Sequence, residues 1–150
     1  MLNDIPKPAL VLGFGGLIPF VAGAIGVWAL PGEWAAYTAR AQLHYAATIL
    51  SFLGAAQWGF ALSGYGGRTA DWPWLTWSVT PALLAWIATL LAWAPALVLL
   101  ILSFSAAFFV DLRSVKLGYA PVWYPKLRKP LTIIAILSLG STLVRLATLS

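Results

Sequence analysis

Few side chains in this 150-residue chain could do chemistry, and they lie far apart. His44 is the single histidine, the carboxylates are Asp4, Glu33, Asp71 and Asp111, and cysteine is absent. One histidine can ligate haem or relay a proton, but it cannot make a bis-histidine site within one chain. A His44 satisfied by water or a carbonyl near a membrane surface is the simpler reading. Without cysteine there are no disulfides, no thiolate catalysis and no Cys-based metal site. The four carboxylates fall in separate tails, loops and segments. That spacing offers no glycosidase pair, no carboxylate metal cluster and no buried acid chain for proton pumping. An enzyme acting on lipid or quinone would need His44, Asp111 or Arg145 to converge, and the order of segments puts His44 and Asp111 at opposite membrane faces. The chain is expected to be non-catalytic, without metal or cofactor.

Two polar residues stand out because their surroundings are apolar. Gln57 lies within "QLHYAATILSFLGAAQWGFAL", where an amide is costly unless it finds a partner. A neighbouring helix is the first candidate partner, and a bound ligand or partner subunit the second. Asp111 ends another apolar run, two residues before Arg113, and the basic 113–129 stretch offers it many cations.

The elements that must position these residues are membrane helices. Hydrophobic residues make up 61% of the chain and charged ones 9%, with a mean hydropathy of +0.88. Soluble domains run near 25% charged, so this surface is built for lipid. The first apolar run, from Pro8, is too long for a cleaved signal peptide. A span needs about 20 mostly apolar residues, and five segments qualify: about Leu10–Leu30, Gln42–Leu62, Leu75–Trp93, Ala96–Leu112 and Pro130–Leu149. The link Ala94-Pro95 makes spans three and four a tight hairpin, and Pro130 suits the first turn of span five. The expected fold is all-α: a single five-helix transmembrane domain over residues 1–150. Five spans do not divide into equal inverted repeats, which argues against secondary transport.

Orientation follows from the cations. Lys7, Arg68, Arg113, Lys116, Lys126, Arg128 and Lys129 fall on one side, Arg40 and Arg145 on the other. The positive-inside rule then sets the N-terminus cytoplasmic and the C-terminus periplasmic, in the bacterial inner membrane. Tryptophans bracket the spans, Trp28 and Trp34 at one end of the first hairpin, Trp72, Trp74 and Trp93 around span three, as an interfacial belt. Small residues, Gly23 and Gly26 in span one and the stripe Ser51, Ala55, Gly59 in span two, are expected to pack helix on helix. The stretch "GYAPVWYPKLRKPLT" mixes aromatics and cations, but it leads straight into span five. Nucleic acid is therefore not expected. Trp123 and Tyr124 belong at headgroup depth, with Lys126, Arg128 and Lys129 meeting anionic lipid or a partner protein.

Three motifs in order, "FLGAAQWGFAL" at Phe52, "WSVTPALLAW" at Trp77 and "PVWYPKLRKPLT" at Pro121, resemble a family of small inner-membrane proteins of unknown function, the transmembrane protein 69-like family. The resemblance runs from "IPKPALVLGFGGLIPF" at Ile5 onwards. Relatives often carry histidine at the position of Gln57, so the resemblance implies no metal or haem role there in this chain. Its bacterial and mitochondrial members imply an accessory subunit or assembly factor of a respiratory (cytochrome oxidase-like) or photosynthetic complex. Gln57, Trp58, Trp77, Asp111, Trp123, Tyr124, Lys126, Arg128 and Lys129 are then the expected partner or lipid interface. The alternative is a tetrapyrrole- or lipid-binding protein of the tryptophan-rich sensory type, similar in gross form only.

Overall fold

The computed structural model describes residues 2–149, and every element in it is helical. The order is α1 (Lys7–Gly15), α2 (Ile18–Ala29), α3 (Gly32–Leu62), a 3₁₀ turn at Tyr65–Gly67, α4 (Trp72–Leu90), α5 (Trp93–Lys116) and α6 (Tyr124–Leu149). Among the described residues four stretches are long and apolar enough to cross a membrane: Lys7–Ala29, Gly32–Leu62, Trp93–Lys116 and Tyr124–Leu149.

The helices depart from the expected boundaries for local reasons. Span one is broken, because Pro19 sits in the first turn of α2 and has no N–H to give the Gly15 carbonyl. The neighbouring Gly16 carbonyl instead accepts the Tyr45 hydroxyl at 2.7 Å. Helix α3 starts ten residues before the expected Gln42, at Gly32, directly after Pro31. Its added segment "GEWAAYTARA" is rich in alanine, the strongest helix former. The hairpin turn falls at Leu91-Ala92, so Trp93 and Pro95 belong to α5. Pro130 does not open span five: α6 begins at Tyr124 and runs through Pro130. Pro125 takes the first-turn position instead, where a missing N–H costs nothing.

Packing centres on α3, which touches α2, α4 and α5, while α6 lies against α5 and α2. Leu50, Leu97, Leu100, Phe104 and Leu139 form the buried middle. Gly23 and Gly26 both lie close against α3. A β-carbon on Gly23 would stand 2.9 Å from the Gln42 side chain, and one on Gly26 2.8 Å from the Thr38 methyl. The stripe Ser51, Ala55, Gly59 does not pack in this way. Ala55 and Gly59 are exposed, no atom lies within 4 Å of where a Gly59 β-carbon would be, and Ser51 bonds back to its own helix at Ala47. Gly54 carries the contact: a β-carbon there would run into the Ser78 carbonyl and press on Pro81 of α4.

The two ends of the bundle differ. At one, the loops around 63–71 and 117–123 meet where the left-handed Gly66 abuts the Gly118 carbonyl. Lys126 reaches Asp4 at 2.7 Å there, which puts the N-terminal segment at the same end. At the other, Arg40 and His44 of α3 share a cavity wall with Leu91 and Trp93, so α4 runs the height of the bundle from one end to the other.

Candidate functional site

A charged cluster is buried beneath the paired loops. Gln57 on α3 donates from Nε2 to Asp111 Oδ1 at 2.7 Å, and Asp111 Oδ2 accepts Arg128 Nε at 2.9 Å. The Gln57 carbonyl oxygen accepts Arg68 Nη1 at 2.9 Å and the Ser114 hydroxyl at 3.3 Å. One amide thus joins α3, the 63–71 loop and α5, and the carboxylate adds α6. Gln57, Asp111 and Arg128 expose only 1%, 2% and 5% of their surface. Burying a charge is tolerated when it is paired and hydrogen-bonded, and Asp111 is both.

Arg68 reaches the cluster because Gly64, Gly66 and Gly67 all take positive φ and fold the loop back on itself. Its guanidinium lies 4.3 Å from the centre of the Trp74 ring, with the Tyr119 ring 5.7 Å away. Such cation–π packing favours a desolvated arginine, while burial pushes the Arg68 guanidinium below its usual value.

The structure therefore corrects part of the expected interface. Gln57, Asp111 and Arg128 face inward rather than towards lipid or a partner, because each is a hydrogen-bond partner of another in the set. Gln57 takes the neighbouring-helix reading. Tyr124 is buried as well, its ring edge-on to Phe60 at 5.4 Å. Trp58, Lys126 and Lys129 are exposed and Trp77 and Trp123 half-buried. Arg68, Ser114 and Thr132 are interior residues that sequence reasoning passed over. The glycines around Arg68 are the one signal that its loop could turn inward. His44 is exposed at the far end: it shares a cavity with Leu97, which lies on α5 fourteen residues from Asp111, or about 21 Å at helical rise.

Beside the cluster lies a cleft of about 370 Å³ between α1, α3 and α6. It lies beside the α1–α2 break, whose Gly16 and Leu17 both line it. Its walls are aliphatic and aromatic, save for Arg128 and Thr132, one turn apart on α6. Arg128 Nη2 and Thr132 Oγ1 are buried and have no hydrogen-bond partner in the chain.

A second polar junction, between Arg40 and His44 on α3, is neutral. Gln42 donates to the Phe20 carbonyl at 2.8 Å and accepts the Thr142 hydroxyl at 2.6 Å, joining α2, α3 and α6. Trp28 adds a bond to Ser141 at 2.9 Å, with Arg145 5.0 Å over its ring.

Long apolar helices tied by buried polar junctions define a polytopic helical membrane protein. Residues 5–144 match the family described as "Protein of unknown function (DUF3429)", and the chain belongs to that family. It is 43% identical over 145 residues to transmembrane protein 69 of Xenopus tropicalis, covering 95% of this chain and 56% of that protein. It is 34% identical to transmembrane protein 69 of Mus musculus over 145 residues, with 95% and 58% covered. The chain thus spans little more than half the length of these relatives. No solved structure matches it.

Proposed function

We propose that this chain is a five-span, non-catalytic membrane protein that acts by binding. The observation that carries this is the division of its buried polar atoms. Asp111, the buried carboxylate, is engaged by Arg128 and Gln57 on both oxygens, whereas Arg128 and Thr132, which line an apolar cleft, each keep a buried donor without a partner. A carboxylate held this way is poorly placed to move protons, and free donors in an apolar cleft suit recognition of a ligand.

The course of α4 from end to end supports a fifth crossing, since 19 residues rise about 28 Å, close to the hydrocarbon thickness. With Arg68 and Arg128 turned inward, Lys7, Arg113, Lys116, Lys126 and Lys129 remain exposed at the loop end, against Arg40 at the other. That supports a cytoplasmic (or matrix-equivalent) N-terminus. A reporter active only in the periplasm, fused after Ser150, is expected to be active, and a silent fusion would reverse the orientation.

Two kinds of partner fit a binding role. The first is a larger membrane complex, with this chain as an accessory subunit or assembly factor of an energy-transducing complex in the inner membrane. The cleft specifically favours a small amphipathic ligand, a lipid or a tetrapyrrole. Purification from native membranes in mild detergent tests both. Stoichiometric respiratory subunits are expected for the first, and a bound lipid or chromophore for the second. A lone, ligand-free monomer, together with unchanged oxidase activity in a deletion strain, would overturn both.

A further inference from the structure

We infer that the cleft between α1, α3 and α6 is a seat for a single-chain acidic lipid, its oxyanion held by Arg128 Nη2 and Thr132 Oγ1 and its acyl chain lying along the apolar wall. This rests on the reading of the protein as a binder and names the class of ligand.

Three observations converge on it. First, Arg128 and Thr132 are both more than nine-tenths buried and line the same cleft, and Arg128 Nη2 and Thr132 Oγ1 lack partners in the chain. An unmet donor in the interior carries the full cost of its desolvation, and an acceptor oxygen would remove that cost at both atoms. Second, the charges buried here are uneven. Arg68 and Arg128 set two cations against the one carboxylate of Asp111, and an oxyanion would balance them. Arg128 gives only Nε to Asp111, so the Nη2 hydrogens of the same planar guanidinium are still available to a second oxyanion. Third, away from these two atoms the cleft is lined by Leu12, Phe52, Leu53, Phe104, Leu131 and other apolar side chains, and its volume of about 370 Å³ lies in the range of small-molecule sites. A polar ligand would leave its own groups unmet against this wall, whereas an acyl chain matches it.

The shared chemistry is an oxyanion on one acyl chain, and the oxyanion could be a carboxylate or a phosphate. The test uses the full chain in nanodiscs and a palmitate analogue carrying a photoreactive diazirine in its chain. Palmitate, palmitoyl lysophosphatidate and methyl palmitate compete for labelling. Saturable labelling of peptides from α1, α3 and α6 is expected. Palmitate or the lysophosphatidate should compete at concentrations at least about tenfold lower than methyl palmitate, as suits a charge-assisted bond. The stronger of the two acids identifies the headgroup. Thr132→Val should weaken binding severalfold, and Ala56→Phe should abolish it by filling the cleft. Arg128→Lys, which keeps a charge opposite Asp111 but loses the planar fork, should weaken it about tenfold. Competition at the unaltered protein decides the matter even where a variant fails to fold. Equal competition by methyl palmitate would overturn the oxyanion while leaving a ligand site in place. Absence of saturable labelling would overturn the site itself.

Discussion

The bundle is tied together at two buried polar junctions, and they are built on opposite principles. At Gln42 the amide meets one carbonyl and one hydroxyl, no formal charge is present, and the amide is bonded through both its oxygen and its nitrogen. At Gln57 an amide of the same kind is placed among two arginines and a carboxylate, and donor atoms are left over. A neutral, sealed junction is sufficient to hold α2, α3 and α6 in register. The charged one does more than that task needs. Its cations exceed its anions, and its spare donors lie at the Arg68 loop and at the wall of a cleft. The lesson is that two buried amides on one helix are satisfied in opposite ways, one by neutral groups and one by charges.

Breaking the charged junction should have the largest effect. Asp111→Ala leaves Arg128 and the Gln57 amide without their acceptor, and is expected to cost about 3–5 kcal/mol in detergent unfolding. Replacing both ends of the ion pair, Asp111→Leu with Arg128→Met, should recover most of that loss, because an apolar pair of similar volume carries no desolvation cost. A double variant as unstable as Asp111→Ala would mean that the junction itself holds the fold. The neutral junction is expected to be the weaker. Gln42→Leu strands the Thr142 hydroxyl and the Phe20 carbonyl contact, for about 1–3 kcal/mol by the same measurement. If Gln42→Leu proved costlier than Asp111→Ala, the contrast between the two would fail.

The helix faces give a finer test. Gly54→Ala drives a methyl into α4 and should destabilise by about 1–3 kcal/mol. Gly59→Ala meets open space and should be neutral or slightly stabilising. Smallest of all is the exposed tether of the N-terminal segment. Lys126, by hydrogen bond and charge, holds the Asp4 carboxyl below its usual value of 3.8. A depressed carboxyl contributes stability above the ordinary value and loses it as pH falls through the lower folded one. Titration of Asp4 by NMR should therefore show a value below 3.8 that returns towards it in Lys126→Ala.

Much of this could be read from residue order. The lipid-adapted composition, the apolar segments, the hairpin before α5 and the need of Gln57 for a neighbouring helix all follow from hydropathy and the cost of burying an amide. So does the expectation that Asp111 would meet a cation of the following basic stretch, although which cation was out of reach. Arg128 is selected because α6 starts at Tyr124, six residues earlier than Pro130 suggests, and this brings position 128 onto a helix facing α5. The failure of the Ser51, Ala55, Gly59 stripe has a related cause. In lipid both faces of α3 are apolar, so hydropathy cannot say which one meets another helix. The face that packs runs through Ala46, Leu50, Gly54, Gln57 and Ala61, and only its amide marks it as inward. The inward turn of Arg68 depends on three left-handed glycines acting together, and composition shows flexibility there but not direction.

The break between α1 and α2 has a consequence in time as well as in shape. Helix α1 buries none of its residues and rests chiefly on α6, while α2 is fastened to α3 by Gln42 and the close approach of Gly23. That wall of the cleft is therefore its least deeply packed side, and the amides of α1 are expected to exchange with solvent deuterium faster than those of α2.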